Sequence, residues 1–324
     1  MPGKEHALGC NDDQAPIAFL IAAHSDPTQV HRLVRRLCPH RVFIHLDAKT
    51  EMTDAWRAID ATFVEPRVPV YWAGYSQVEA TLTLMRASLE TGERFAKLVL
   101  LSGACYPILP IAHLADLFAR DGERNYIRYV DMTRSSHLMS MISHRYHRDG
   151  ILPPQLVARS PLAGNAEKVV RKLHALSAGK LPDRWTLPLT PYHGSSWWAL
   201  TLEAARFAVA EIDRRPELVA KYKRSFASDE QVFHTIIGNS SFAASATGEI
   251  PFTGRGTWKA ANLHLIDPSL TRWYDGGDID EVIASDRYFV RKVGSDRSGA
   301  LLDALDDHAK RLEAEQHMVA GGAR

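Results

Sequence analysis

Short hydrophobic runs alternate with amphipathic segments through the first 130 residues. Runs rich in β-branched and aromatic residues predict buried strands at Ile17–Ala22, Arg41–Leu46, Leu98–Leu101 and Tyr126–Val130. Between them, apolar residues recur at helical spacing, as in Leu33, Val34 and Leu37, and a further helix is predicted at Ile111–Arg120. This alternation predicts an α/β fold with a mostly parallel central sheet covered by helices on both faces.

Helix start signals accompany two of the amphipathic segments. His24-Ser25-Asp26-Pro27 supplies an N-cap candidate and a proline suited to the first helical turn, so a helix should run from there to near Cys38. Ser76 and Glu79 have the spacing of a capping box that would open a helix ending near Glu90. The first half of the chain therefore has the pattern of a nucleotide-binding α/β layer.

The pattern becomes irregular between Asp131 and Pro191. This stretch predicts an insertion beside the site, with a short helix around Ala166–Ala178, and it is polar, basic and interrupted by prolines, with His144, Arg145, His147, Arg148, Pro153, Pro154 and Arg184. Regular pattern returns at Ser195–Leu200, followed by a helix over Leu202–Asp213 and another from Ser228.

The predicted organisation is one domain over residues 15–296. Residues 15–130 would form its nucleotide-binding half and residues 131–296 its second half, with a C-terminal helix and tail at 297–324. A domain boundary near Asp131 is the alternative. Leu301, Leu302, Leu305 and Leu312 recur at roughly helical spacing, which predicts that the last helix packs onto the domain.

Composition narrows the range of partners and locations. The 324 residues carry 39 basic and 38 acidic side chains, so the chain lacks the basic surplus typical of nucleic-acid-binding proteins. Cys10, Cys38 and Cys105 are too scattered for a disulfide framework, which favours a reducing compartment. With neither a transmembrane run nor a signal peptide in its sequence, the chain is expected in the cytoplasm, with peripheral binding at the inner face of a membrane left open.

The sequence lacks the signature motifs of several enzyme classes. No GxSxG motif is present for a serine hydrolase, and the segment after the first strand reads AAHSDP instead of the GxGxxG of a dinucleotide-binding enzyme. His144 and His147 have no convincing third metal ligand nearby, so an ordinary basic loop is favoured there.

The segment Ser225–Ile237 is the most informative for chemistry. Ser228 and Gln231 have capping-box spacing, which predicts a helix with Glu230 in its first turn. There the backbone N–H groups favour the ionised carboxylate, whereas burial in a cleft would raise its pKa. Such a balance suits a general base near neutral pH, although acidic residues are also commonplace in first turns.

Seven blocks, in order from Ala18 to Lys292, resemble the core-2/I-branching and peptide xylosyltransferase family. They are AFLIAAHSDPTQVHRLVRRL, VFIHLDAKT, VYWAGYSQVEATLTLMRASLE, KLVLLSGACYPI, HGSSWWALT, SDEQVFHTII and YFVRK. The resemblance implies a GT-A-like fold, a UDP-sugar donor, and inverting transfer without a metal or other cofactor. The acceptor would be a glycan, a glycoconjugate or a small molecule.

The resemblance also implies roles for individual residues. Glu230 matches the family's catalytic glutamate, and FVRK resembles a block whose basic residues, here Arg291 and Lys292, contact the diphosphate. Arginine can bind phosphate through two parallel N–H groups and lysine as a point charge. The one DxD pattern, Asp278-Ile279-Asp280, lies far downstream of the strand that usually carries this metal motif, so we interpret it as a solvated turn.

Further residues are expected around the donor and the acceptor. By resemblance, Asp47 would contact the uridine together with Ala23 and His24, at the edge where open α/β sheets bind nucleotides. The sugar or acceptor pocket is expected to include Trp72, Ser102, Gly103, Cys105, Trp197, Trp198 and Asp229. For Trp198, a place in the core is equally open, because aromatic residues at strand ends often pack there.

Two positions depart from the family pattern. Cys105 stands where many members have aspartate, and Ser196 stands where an acidic or amide residue often precedes the tryptophan. Both lie in pocket-lining blocks, which leaves N-acetylglucosamine and xylose open as the transferred sugar. A UDP-sugar-binding protein that has lost transfer is the alternative function, and the retention of Glu230, Arg291 and Lys292 argues against it.

Overall fold

A computed structural model describes residues 15–150, 160–254 and 256–321 of the chain. Pro153 and Pro154 of the predicted insertion lie outside the described residues, as do the N-terminal segment with Cys10 and the last three residues of the predicted tail.

The first half follows the predicted alternation closely. Its strands are β1 (Ala18–Ala23), β2 (Arg41–Leu46), β3 (Thr62–Phe63), β4 (Leu98–Ser102), β5 (Cys105–Pro107) and β6 (Asn125–Asp131). Its helices are α1 (Pro27–Leu37), α2 (Asp54–Arg57), α3 (Ser76–Glu90) and α4 (Ile111–Arg120). Helix α1 begins as predicted, with Asp26 as N-cap accepting a hydrogen bond from the Gln29 N–H and Pro27 in the first turn.

The second half has more helices and shorter strands. The helices are α5 (Ser136–Ser143), α6 (Pro161–Ser177), α7 (Leu202–Arg214), α8 (Pro216–Tyr222), α9 (Val232–Gly238), α10 (Ile279–Ile283) and α11 (Gly299–Gly321). The strands are β7 (Tyr192–Gly194), β8 (Ala199–Leu200), β9 (Ala246–Glu249), β10 (His264–Ile266) and β11 (Phe289–Arg291).

Strands from both halves share the central sheet, in the order β3-β2-β1-β4-β8-β6-β7 with β9 beside β6. The β3-β2-β1-β4 portion is parallel, whereas β8 runs antiparallel to both β4 and β6. A small second sheet pairs β10 with β11 in parallel and β11 with β5 in antiparallel fashion. The predicted α/β fold with a mostly parallel sheet is therefore confirmed.

Side chains on the two faces of the sheet enter two separate hydrophobic cores. On β1, Phe19 and Ile21 pack with α1, α4 and α11, while Ala18 and Leu20 pack with α3, α7 and α9. Because successive strand residues point to opposite faces, a strand buried on both sides must be apolar throughout, as β1 is. This arrangement confirms that helices cover both faces.

The capping boxes predicted at Ser76 and Ser228 are not formed. The Ser76 hydroxyl donates instead to Asp149, which also accepts hydrogen bonds from the backbone N–H groups of Tyr75 and Ser76. The Ser228 hydroxyl donates to the Tyr222 carbonyl at 2.7 Å. In both places the serine hydroxyl bonds to a residue outside the predicted motif: Asp149, distant in sequence, for Ser76, and Tyr222, at the end of α8, for Ser228.

The C-terminal helix packs onto the domain as predicted. Leu301, Leu302 and Leu305 lie in the core beneath α1 and α4. Asp306 on the same helix accepts a hydrogen bond from the Tyr106 hydroxyl at 2.7 Å and pairs with Arg32. Within the described ranges, no helix is both long and apolar enough to cross a membrane.

Candidate functional site

The carboxyl ends of β1 and β4 form a crevice where the strand order reverses. Open α/β sheets bind nucleotides at such a point. Gly103 follows β4 and donates its N–H to the Ala22 carbonyl at 3.1 Å. A Cβ at Gly103 would lie 2.9 Å from the Val30 side chain of α1 and 3.5 Å from the Ala23 side chain of β1, so this turn has little room for a larger residue. Ala23 is buried beside it, and the next residue, His24, is exposed.

Asp47 lies at the end of β2, next to this crevice, and is already engaged within the protein. Its carboxylate accepts hydrogen bonds from the backbone N–H groups of Lys49 at 2.9 Å and Val70 at 3.2 Å. The Lys49 ammonium lies 3.3 Å from the same carboxylate. Asp47 therefore holds the neighbouring loops together, and any contact with a ligand would be added to this role.

Arg291 and Lys292 follow one another at the end of β11. Strand pairing places Arg291 opposite Cys105, and its guanidinium lies over the Trp197 ring, 4.6 Å from the centroid. Burial lowers the pKa of Arg291, and burial together with Arg291 lowers the pKa of Lys292. Among the described residues, neither cation has a carboxylate within ion-pair distance. The pair is therefore a half-buried positive site with no counter-ion from the described part of the chain.

Cys105 lies beside Arg291 in a fully buried polar cluster. Its sulfur is 3.3 Å from the Ser102 hydroxyl and 3.5 Å from Nε2 of His264. Burial raises the pKa of Cys105, whereas burial and then Arg291 lower the pKa of His264 to about 3. The thiol and the imidazole are therefore both neutral near pH 7, and they add no charge next to the cations.

Glu230 lies in a 3-10 turn over Ser228–Glu230 that precedes α9, and not in the first turn of an α-helix as predicted. Ala227 begins the turn with a left-handed backbone, φ 54°, and donates its N–H to the Ala73 carbonyl. One Glu230 oxygen is 3.2 Å from Nε2 of the buried His193, and the Glu230 side chain is 29% exposed. The carboxylate therefore has an imidazole close on one side and is partly open to solvent.

Asp229 lies beside Glu230 and is held by polar neighbours. Its carboxylate accepts a hydrogen bond from the Ser196 hydroxyl at 2.6 Å. Burial and then the charge of Glu230 raise the pKa of Asp229 to about 6, while hydrogen bonds from Ser196 and Gln77 oppose the shift. Two adjacent carboxyl groups with different surroundings therefore occur at this position.

Ser196 and Trp197 connect the carboxylates to the cations. Ser196 bonds to Asp229, and the next residue, Trp197, stacks beneath Arg291. The following residue, Trp198, is only 1% exposed and packs against Phe233. It therefore belongs to the core, which the sequence left open as the alternative to the pocket. The structure thus brings Glu230, Asp229, Trp197, Arg291 and Cys105 into one continuous set of contacts.

Trp72 occupies an exposed position near the Glu230 turn. It is 73% exposed, and its ring meets Phe226 edge to face at a centroid distance of 5.5 Å. The Arg148 guanidinium lies over both rings, 5.4 Å and 5.0 Å from their centroids. Because Phe226 precedes the Glu230 turn by only a few residues, this aromatic surface adjoins the carboxylates.

The Asp278-Ile279-Asp280 turn has a structural role. Asp278 accepts from the Asp275 N–H at 2.8 Å, completing a capping box, and pairs with Arg272. Across residues 15–150, 160–254 and 256–321, no group of three or more His, Cys, Asp or Glu side chains is placed to hold a metal ion. The prediction that no metal is needed stays a prediction.

His193 and His264 contact residues of the candidate site and were not predicted from the sequence. His193 stands in the HGSSWWALT block, one position before the glycine that ends β7, but nothing in its local pattern indicates contact with Glu230. His264 lies on β10, and its ring centroid is 6.0 Å from that of Trp197. Both contacts join segments far apart in sequence, so only the folded chain shows them.

Solved glycosyltransferase structures are similar to the chain at low sequence identity. Among solved structures, it is similar to the apo form of the bifunctional glycosyltransferase WbbM, with 11% identity and a TM-score of 0.37 over 94% of this chain and 51% of that one. The chain therefore spans about half the length of WbbM. It is also similar to the apo form of mouse xyloside xylosyltransferase 1, with 12% identity and a TM-score of 0.33 over 85% and 97% of the two chains.

At these TM-scores the structural likeness adds nothing to a functional argument. No curated protein matches the chain. The family model of the Core-2/I-branching enzymes matches residues 17–250, well over half of the chain. The matched region includes β1, the crevice and the Glu230 turn. The chain is therefore a glycosyltransferase that belongs to the Core-2/I-branching enzyme family.

Proposed function

We propose that this enzyme transfers N-acetylglucosamine or xylose from a UDP-sugar to an acceptor hydroxyl, with inversion at the anomeric carbon and without a metal. In this proposal Glu230 is the general base, and Arg291 and Lys292 bind the diphosphate. Ala23, His24 and Asp47 border the uridine, at the carboxyl ends of β1 and β2.

The observation that carries the proposal is the pair of uncompensated cations on β11. Burying positive charge without a partner costs free energy, and that cost is recovered when an anion binds. Arg291 and Lys292 have no such partner among the described residues, and Trp197 supports the guanidinium from below. A diphosphate has the charge and the oxygen spacing that two adjacent cations of this kind bind well.

The Glu230 carboxylate is suited to accept a proton. It is partly open to solvent, so an acceptor hydroxyl can reach it, and the His193 imidazole lies 3.2 Å from it on the protein side. Asp229 favours its neutral form more than an ordinary aspartate, which limits the negative charge next to the base near pH 6. The two carboxyl groups thus have separate roles, with Glu230 acting on the substrate and Asp229 anchoring the turn through Ser196.

The reaction would proceed in one displacement. The acceptor oxygen forms a bond to the anomeric carbon while the bond from that carbon to the diphosphate oxygen breaks. The acceptor proton passes to Glu230, and the bonding electron pair leaves with the UDP. Negative charge on the leaving diphosphate grows as the bond breaks, so Arg291 and Lys292 stabilise the transition state more than the ground state.

A panel of donors tests the proposal. We expect UDP and one of UDP-N-acetylglucosamine or UDP-xylose to raise the melting temperature, since a ligand at 100 times its Kd stabilises the folded state by about 2.7 kcal/mol. Incubation of that donor with an acceptor panel should release UDP and give a glycosylated product. Lys292→Ala should weaken UDP binding and lower kcat. A donor that binds without any turnover would instead indicate a UDP-sugar-binding protein.

A further inference from the structure

Helix α6 presents an exposed row of large apolar side chains. Leu162 is 82% exposed, Val169 and Leu173 are each 58% exposed, and Leu176 is 59% exposed. Leu181, just beyond the helix, is 49% exposed. Large apolar side chains exposed singly are common, whereas a contiguous row of them marks an interaction surface. We call Leu162, Val169, Leu173 and Leu176 the α6 stripe.

The spacing of the α6 stripe places it on a single helix face. Its members are separated by seven, four and three positions, which bring side chains to nearly the same angle around a helix with 3.6 residues per turn. From Leu162 to Leu176 the stripe is about 21 Å long, at 1.5 Å per residue. This is the pattern of an amphipathic helix whose apolar face lacks a cover in the described chain.

The other side of α6 faces the body of the protein. Glu167 is 5% exposed, and the His174 ring lies 4.5 Å from the His147 ring, centroid to centroid. After the helix, Gly179 donates its N–H to the Arg145 carbonyl, and Arg145 donates its N–H to the Leu181 carbonyl. These contacts fix which side of α6 is attached, so the stripe faces outward.

Exposed lysines accompany the stripe. Lys168 and Lys172 lie on α6, and Lys180 follows it, all three exposed. The sequence of α6 contains three basic residues, Lys168, Arg171 and Lys172. Its one acidic residue is Glu167, whose side chain is buried. A helix with an apolar face bordered by basic residues is typical of proteins that lie in the interface of an anionic bilayer.

We propose that the α6 stripe and its lysines dock this enzyme on the surface of an anionic lipid bilayer. The charge distribution favours this occupant over a second copy of the chain, because two stripes packed together would bring lysines of both copies close to one another. The residues that attach α6 also lead to the catalytic side, since Tyr146 donates its N–H to the Arg224 carbonyl and packs against Phe226. Docking through α6 therefore orients the Trp72 and Phe226 surface relative to the bilayer. The proposal is independent of the sugar that is transferred.

Vesicle co-sedimentation of the full-length protein tests this docking. The probes are vesicles of phosphatidylcholine alone and vesicles of phosphatidylcholine with one third phosphatidylglycerol. We expect binding to the anionic vesicles, weakened by salt, and little binding to the neutral ones. Leu173→Glu should reduce binding by about tenfold or more, because it removes buried apolar area and adds a repelled charge. The double variant Lys168→Ser with Lys172→Ser should reduce binding to the anionic vesicles and leave the weak binding to neutral vesicles unchanged.

Met318→Glu is the matched control, because Met318 is 72% exposed on a different helix, α11. It should leave vesicle binding unchanged, and circular dichroism melting should show that all the variants are folded. Equal binding of wild type and Leu173→Glu would overturn the proposal. The absence of vesicle binding would also overturn the proposal. This holds whether the protein is a monomer or forms a dimer that Leu173→Glu dissociates.

Discussion

At the scale of single residues, the neighbours of Glu230 distinguish it from an ordinary surface carboxylate. It has a buried imidazole 3.2 Å away, a second carboxyl group in the adjacent residue, and an opening to solvent. An acidic residue that only capped a helix would bond to backbone N–H groups, but the turn at Glu230 is a 3-10 turn that ends at that residue. A role in capping a helix therefore does not account for its position.

Replacing Glu230 by Gln separates proton transfer from binding. The amide keeps the size of the side chain but cannot accept the acceptor proton, so we expect kcat to fall by at least about 100-fold. UDP affinity should remain near that of wild type, because the cations of β11 are untouched. Steady-state kinetics and UDP titration by calorimetry measure the two effects. Turnover close to wild type would remove Glu230 as the base.

Asp229 should make stability depend on pH. Its pKa is raised to about 6 in the folded protein from an ordinary value near 3.8, so the folded state binds more protons between these values. This contribution favours folding at low pH and is lost as pH rises toward 6 and beyond. Asp229→Asn should therefore gain stability relative to wild type between pH 4.5 and pH 7.5, on the order of 1–2 kcal/mol, because the carboxyl of the unfolded chain is already largely ionised at pH 4.5.

Thermal melting of both proteins at the two pH values measures this difference. Ser196→Ala is a suitable control, because it removes the hydrogen bond to Asp229 while the carboxyl group remains. It should leave the pH dependence in place, or strengthen it by removing a contact that lowers the pKa. A constant gap between Asp229→Asn and wild type across this range would contradict the raised pKa.

At the scale of elements, the sequence determined the regular part of the chain well. The bounds of β2 and α4 match the predicted ones, and α1 has both its predicted N-cap and its proline. These elements are specified by local periodicity and by residues that act on their own backbone. The starts of α3 and α9 differ from the predicted capping boxes. The Ser76 hydroxyl donates to Asp149, which is far along the chain, and the Ser228 hydroxyl donates to the Tyr222 carbonyl, which is outside the motif.

The candidate site was predictable only where its residues lie in recognisable blocks. Glu230 and the cation pair could be named from their motifs, but the contact of Glu230 with His193 depends on how β7 lies beside the turn. Trp197 and Trp198 show the same limit, since strand alternation gives adjacent residues opposite directions but does not say which one meets Arg291. Long-range packing therefore decided what local pattern left open.

Gly194 links the packing of β7 to the position of His193. A Cβ at Gly194 would lie 2.3 Å from the Arg128 carbonyl oxygen and 2.5 Å from the His234 ring. A backbone oxygen cannot rotate away, so Gly194→Ala should displace β7 or strain it, at a cost of about 1–3 kcal/mol. We expect a melting temperature lower by a few degrees and a reduced kcat, because His193 moves relative to Glu230.

Gly122→Ala is the matched substitution, because a Cβ there would meet nothing within 4 Å. It should leave both melting temperature and kcat near wild type. Differential scanning calorimetry and initial rates on the two variants give the comparison. If Gly194→Ala melted and turned over like Gly122→Ala, the close packing of β7 against Arg128 and His234 would be wrong.

At the scale of the whole molecule, charge is balanced overall and concentrated locally. The chain has 39 basic and 38 acidic residues, yet Arg291 and Lys292 lack an acidic partner in the described structure. Other cations form internal pairs, such as Arg32 with Asp306. Where a protein supplies fixed cations to a leaving diphosphate, a divalent metal is not required for the same task.

Metal independence can be tested on the whole enzyme once a donor is identified. We expect turnover to persist in excess EDTA and to change little on addition of Mn²⁺, because Arg291 and Lys292 neutralise the leaving group. Asp278→Asn with Asp280→Asn should retain kcat, although its melting temperature should fall, since Asp278 completes a capping box and pairs with Arg272. Lys292→Ala should instead lose kcat without a comparable loss of stability. Abolition of turnover by EDTA with recovery in Mn²⁺, together with loss of kcat in the Asp278 and Asp280 variant, would assign the diphosphate to a metal held by that turn.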